Sequence, residues 1–169
     1  MKTVFLKRVA IVVIAILTMS LSASAQKKGD MDAGVNLLFG TTSGYSNAGL
    51  GAKFRYNIID QVRLAGEFDY FLKSNYISLW DFSVYGHYLF PVAENLVVYP
   101  EVGLGFVGWS YSWPTGWLDS YSHPTDFALS IGGGVDYKLT SNLTLNGQLR
   151  FKTISGGWFN MLVGIAYKF

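Results

Sequence analysis

The chain has no cysteine and only two histidines among 169 residues. Disulfides and thiolate chemistry are excluded, and a His-rich metal site has no material to form from. Long apolar runs are also missing. The longest lies near the start, Val9 to Leu17, and nothing after it approaches the ~20 continuous apolar residues of a membrane-spanning helix. Yet half of the residues are hydrophobic. A backbone in lipid must satisfy all its polar groups internally, and without helical spans the remaining solution is a closed barrel of strands.

The first apolar run has its own explanation. Lys2, Lys7 and Arg8 precede it, and Ala23-Ser24-Ala25 follows with the small residues of a cleavage site. Residues 1–25 are expected to be a cleaved secretory signal peptide, leaving a 26–169 domain. The alternative, an uncleaved anchor, needs a longer apolar run. Loss of those three bases takes the net charge from +2 to −1. A basic surface for nucleic acid is then absent, and no nucleic-acid partner is expected.

What is present is alternation. From Phe159 to the end, Phe159, Met161, Val163, Ile165, Tyr167 and Phe169 share one parity, against Asn160, Leu162, Gly164, Ala166 and Lys168. A strand sends successive side chains to opposite faces, so one face is wholly apolar. Seven more segments show the same period: 30–40, 47–56, 61–72, 78–90, 96–107, 126–139 and 143–152. Residues 41–46, 57–60, 91–95, 140–142 and 153–157 read as turns or loops. Pro100 in the fifth segment marks an expected edge or bulge, with a possible shift of phase. The connections after the second, fourth and sixth segments are short, while one of the others, 108–125, is long. That asymmetry suits an outer-membrane barrel with short periplasmic turns, and it puts both termini in the periplasm.

Charge position decides what faces outward. Asp32, Lys53, Arg55, Arg63, Glu67, Asp69, Asp81, Glu101, Asp136, Lys138, Arg150, Lys152 and Lys168 all lie opposite the apolar face. A soluble barrel would enclose the apolar face instead. An eight-stranded barrel has an interior only as wide as side chains. The apolar face carries bulky rings such as Trp80, Phe82, Phe106, Phe127, Phe151 and Phe159, whereas the polar face is rich in glycine. Rings suit lipid and its interfaces, and small residues leave room for enclosed charges. The fold expected is an all-β, eight-stranded, antiparallel up-and-down transmembrane β-barrel. Six acids and seven bases inside it are nearly neutral together and imply a salt-bridged plug.

The signal, the eight strands and the terminal pattern resemble the small outer-membrane β-barrel family, the OmpA-like and OmpX-like barrels often labelled porin-family. The likeness spans the whole mature chain. It implies the outer membrane as location, lipid and lipopolysaccharide as surroundings, and recognition by the barrel-assembly machinery through Val163, Ile165, Tyr167 and Phe169. The peptidoglycan-binding domain of longer family members is not expected here, so their cell-wall anchoring is not carried over.

Other constellations carry less. Gly103-Leu104-Gly105-Phe106-Val107-Gly108 has dinucleotide-binding spacing, but Trp109 to Pro114 is not the helix that motif requires. Glu67 and Asp69 share a strand face as a catalytic pair would, yet Lys53 and Arg55 on the preceding strand favour an ion network. Some outer-membrane barrels are lipid A deacylases with a His-x-Ser pair. Neither His87-Tyr88-Leu89 nor His123-Pro124-Thr125 matches, and His87 reads as a buried, hydrogen-bonded side chain. Asn142-Leu143-Thr144 is a tight turn. No catalytic residue, cofactor or metal is expected. In 108–125, Trp109, Tyr111, Trp113, Trp117 and Tyr121 form a candidate surface-interaction loop; the other reading beds these rings at the lipid headgroups. The functional expectation is a non-enzymatic barrel with an envelope-structural or surface-interaction role. A narrow solute channel or ligand-binding barrel is the alternative, and a lipid-modifying enzyme a more distant one.

Overall fold

The computed structural model describes residues 26–42, 45–74, 77–111, 125–154 and 156–169. The expected signal peptide and most of the 108–125 segment lie outside them. Among the described residues there are strands and turns and no helix: β1 (Met31–Thr42), β2 (Tyr45–Ile59), β3 (Val62–Ser74), β4 (Ile77–Tyr88), β5 (Phe90–Ala93), β6 (Leu96–Tyr111), β7 (Asp126–Lys138), β8 (Leu143–Lys152) and β9 (Trp158–Lys168). Every pairing is antiparallel. Except that β4 and β5 both pair with β6 and not with each other, each strand pairs with its sequence neighbours, and β1 pairs with β9, so the sheet closes on itself. Because β4 and β5 are consecutive pieces of one stave against β6, the barrel has eight staves. Closure pairs the long strands on both sides, as a bilayer demands, and the short β5 at the turn end pairs with β6.

Pro100 does not act as expected. The pairs His87↔Glu101 and Phe90↔Val98 keep one register across it, with no bulge in β6. Proline lacks an N–H, so the ladder is interrupted on the partner side, between β4 and β5 at Leu89. On its other side Leu89 keeps the register of β3 and β4, its N–H donating to the Gln61 carbonyl at 2.8 Å. The phase therefore holds: Tyr99 and Glu101 are buried, and Val102 is 62% exposed.

The expected 41–46 loop is also corrected. β1 runs to Thr42 and β2 restarts at Tyr45, with Thr41 opposite Ser46. Thr41 Oγ1 and Ser46 Oγ share a 3.0 Å hydrogen bond across that pair. β-branched and hydroxyl residues suit a ladder, and composition alone mistook them for loop. Similarly, 57–59 belongs to β2 and 91–93 to β5, so the short turns at that end are tighter than anticipated.

The two faces separate by chemistry. Val35, Leu37, Phe68, Phe82, Phe106, Ile131, Phe151, Val163 and Tyr167 stand on the outer wall. Arg55, Arg63, Glu67, Asp81, Glu101, Asp136, Arg150 and Lys152 point inward and are each at most 2% exposed. Rings are not confined to the outside, however. Phe71, Tyr85, Tyr99 and Trp158 are buried in the lumen. Glycine makes space for three of them: a Cβ on Gly103 would collide with the Tyr85 ring, on Gly134 would lie 2.5 Å from Tyr99, and on Gly40 2.5 Å from Trp158.

The outward placement of Val163, 49% exposed, has a direct test. Val163→Arg puts a charge on the lipid face and should cost about 2–4 kcal/mol near the midplane. Denaturant unfolding in phospholipid vesicles reads this cost, and a variant as stable as the parent contradicts a lipid-facing β9.

Candidate functional site

The lumen is filled in layers, and each layer follows from which inward positions the register brings to one height. Nearest the short turns, Asp30 just ahead of β1 meets Lys168 near the end of β9 at 2.6 Å. Partial burial pushes the Asp30 pKa up, but hydrogen bonds from Lys168 and from the Lys27 N–H hold it below the ordinary carboxylate value.

Above that rim lies a cluster on Asp136. Arg55 Nε donates to Asp32 at 2.5 Å, and its Nη1 reaches both Asp136 oxygens at 3.1 Å. Arg63 Nη1 donates to Asp136 at 2.5 Å and Arg63 Nε to His87 Nδ1 at 3.0 Å. The Tyr99 hydroxyl adds a 3.3 Å bond to Asp136. Tyr99 lies beneath the Arg63 guanidinium at 4.6 Å and stacks on His87 at 4.7 Å. Because Nδ1 accepts from Arg63, the His87 proton sits on Nε2, which faces Glu101 at 3.2 Å. His87 is thus a link between two clusters.

The second cluster centres on Arg150. It is bidentate to Glu67, at 2.6 and 2.9 Å, and its Nε donates to Glu101 at 2.5 Å. Its guanidinium also rests on the Tyr85 ring at 3.9 Å. Fork-to-carboxylate geometry of this kind holds two carboxylates in fixed directions. Further up, Lys152 bonds Asp81, and its ammonium donates to Ser83 Oγ at 3.1 Å while Ser83 donates to Asp81 at 2.5 Å.

Most of these pairs cross the lumen rather than run along the wall. β8 and β3, which carry Arg150 and Glu67, stand on opposite sides of the ring. So do β2 and β7, which carry Arg55 and Asp136. The ion network expected around Glu67 is present, but its partner comes from across the ring and not from the neighbouring strand. Lys53 is the backbone partner of Glu67, but its ammonium bonds Asn146 of β8, and Glu67 takes Arg150. Asp69 is buried opposite Asp81 and, among the described residues, has no ion pair within 4 Å. Lys138 and Lys168 are at the rim, outside the buried network.

Toward the longer connections the fill becomes apolar. Leu38, Phe71, Leu79, Val107, Ala128, Ile154, Trp158 and Leu162 form one buried cluster, with Ile77 and Trp109 packed on it. Phe71 and Trp158 rings lie 4.7 Å apart, and Trp109 stacks on Trp158 at 6.0 Å. The sequence reading treated the lumen face as small or polar and missed this cluster. The signal was there, since all of its strand residues share the parity of the charges. Trp109 is corrected for the same reason: β6 continues to Tyr111, so Trp109 follows Val107 inward instead of standing in a surface loop. Trp113, Trp117, Tyr121 and the Tyr111 side chain lie outside the described residues. Val163, Ile165, Tyr167 and Phe169 stand on the outer face.

A closed eight-stave ring with lipid-facing rings and enclosed charges is matched by one family, described as the outer membrane protein beta-barrel domain, over residues 11–169. The chain belongs to that family. It is an outer-membrane β-barrel, and its location is the bacterial outer membrane. Among solved structures it resembles Neisserial surface protein A (TM-score 0.66, 18% identity, covering 83% of this chain and 96% of that one). It also resembles Ail, the attachment invasion locus protein of Yersinia pestis, solved with the heparin analogue sucrose octasulfate (0.61, 19%, 84% and 99%). OprG of Pseudomonas aeruginosa is a third (0.59, 14%, 88% and 99%). At these identities the likeness is one of fold. No curated protein matches the chain by sequence.

Arg150→Met leaves Glu67 buried without its fork and Glu101 with His87 alone, and the expected loss of stability is about 3–5 kcal/mol. Adding Glu67→Gln and Glu101→Gln to that variant should recover most of the loss. Chemical unfolding in vesicles, followed by tryptophan fluorescence, measures both steps.

Proposed function

We propose that this protein is a non-enzymatic, non-conducting barrel with an envelope-structural or surface-interaction role. Residues 1–25 are its cleaved signal peptide, 26–169 the mature barrel, and both termini are periplasmic. The observation that carries the reading is the filling of the lumen. Arg150 spans the ring between Glu67 and Glu101, and the Phe71–Trp158 cluster closes the end with the longer connections. An ion crossing this path would have to separate buried pairs and then traverse an apolar layer, both at high cost.

The paired charges of the lumen serve here as a structural network with no catalytic duty. His87 bridges Arg63 and Glu101 and has no nucleophile beside it among its described contacts. The outer face of β9, with Val163, Ile165, Tyr167 and Phe169, is the surface offered to the barrel-assembly machinery. Lipid and lipopolysaccharide cover the remaining wall. Any extracellular ligand or surface partner is met through the 108–125 connection, where Trp113, Trp117 and Tyr121 are the candidate anchors. Ail, with its bound heparin analogue, is a same-fold example of a barrel that takes an extracellular ligand.

Planar-bilayer recording tests the central claim. The folded protein should give no stable, resolvable openings. Steady single-channel steps would reject the plug and favour the narrow-channel reading.

A further inference from the structure

The segment ahead of β1 belongs to no strand, yet it is tied down to the short-turn end of the barrel. The Gly29 N–H donates to the Asn57 carbonyl at 2.8 Å, and the Asn57 N–H donates back to the Asp30 carbonyl at 2.9 Å. The Lys28 N–H donates to the Asp60 carboxylate at 2.7 Å. Gly29 has φ +88°, a conformation that glycine takes without strain. That turn brings Gln26 back beside β2, where Asn57 Nδ2 donates to Gln26 Oε1 in a long contact of 3.4 Å.

Cleavage after Ala25, as proposed above, makes Gln26 the first residue. On that reading we infer that Gln26 is a modification site, and that the mature chain begins with a pyroglutamyl lactam in place of a free amine. The chemistry needs no co-reactant. The unprotonated α-amine nitrogen attacks the side-chain carbonyl carbon Cδ, and a nitrogen–Cδ bond forms. The Cδ–Nε2 bond breaks, one α-amine proton passes to Nε2, and ammonia leaves.

The local geometry suits both steps. Donation from Asn57 to Oε1 draws electron density from Cδ and favours attack there. Oε1 survives as the lactam carbonyl and remains an acceptor for Asn57, whereas Nε2, the atom lost, has no hydrogen bond to a described residue. Charge argues the same way. A free α-ammonium at residue 26 would be followed directly by Lys27 and Lys28. The two nearby carboxylates are engaged already, Asp30 by Lys168 and the Lys27 N–H, Asp60 by the Lys28 N–H. Cyclisation removes the extra positive charge while keeping the acceptor.

Mass spectrometry of the protein extracted from the outer membrane of its own cell decides the matter. The expected N-terminal peptide begins at residue 26, is lighter by one ammonia, and resists stepwise Edman degradation until pyroglutamyl aminopeptidase removes the blocked residue. A peptide that begins at residue 26 with an unmodified glutamine overturns the lactam and leaves the cleavage reading standing. A peptide that begins elsewhere overturns both. Gln26→Ala, which has no side-chain carbonyl for the amine to attack, should carry a free amine and fold with unchanged heat-modifiable gel mobility. A blocked amine in that variant points to a different blocking group and overturns the lactam.

Discussion

The bilayer offers no hydrogen bonds to a peptide, and every other feature of this chain answers to that. Backbone groups must pair with one another, so the strands have to close into a ring. Eight staves close with a bore only as wide as side chains, and a bore that size in a folded protein has to be filled. The outer wall then has one requirement, to be apolar. The inner wall has many, because whatever enters must fit its neighbours across a narrow gap. Glycine at Gly40, Gly103 and Gly134 is the complement of that crowding: each lies where a ring from an adjacent strand crosses the wall.

The fill uses two chemistries in sequence along the axis. Near the short turns the inward positions are charged and the contacts are forks and bridges on Asp136, Glu67 and Glu101. Toward the longer connections they are aliphatic and aromatic, and the Phe71 and Trp158 rings pack at a 43° tilt. Each half excludes water by a different means. Ion pairs and hydrogen bonds offset most of the enclosed charge, and close packing keeps water from the apolar end.

Parity is a local property, and it was legible. Two-residue alternation over ten or more residues identifies the strands, and the concentration of charge on one parity tells lumen from lipid. Pairings inside the lumen are not local. Glu67 faces Lys53 on its neighbour but bonds Arg150 from across the ring, because a long guanidinium reaches the far wall while the two neighbours point inward side by side. Nothing in either segment alone encodes that. Pro100 is a lesson of the same kind: composition flags a missing donor, and only the partner strand determines that the break falls at Leu89 with the register intact. The residues of the apolar cluster, Leu38, Phe71, Leu79 and Val107, were visible as exceptions on the polar parity. Reading each strand singly hid the fact that they occur at one height.

That distinction explains why charges fill a space that leucine and valine could fill as well. Exchanging buried ion pairs for packed hydrophobic residues is often neutral or stabilising, so stability alone does not account for them. Register does. A slip of one residue between two strands of this barrel would turn the apolar face inward, and the membrane forbids it. A slip of two residues keeps every side chain on its proper face, and the greasy outer wall, much the same along its length, scarcely penalises it. Inside, the same slip of β8 would carry Arg150 a full step away from both Glu67 and Glu101, leaving the guanidinium and Glu67 buried without their pairing and Glu101 with His87 alone. The outer wall thus selects the face, while the pairs that cross the lumen select the register.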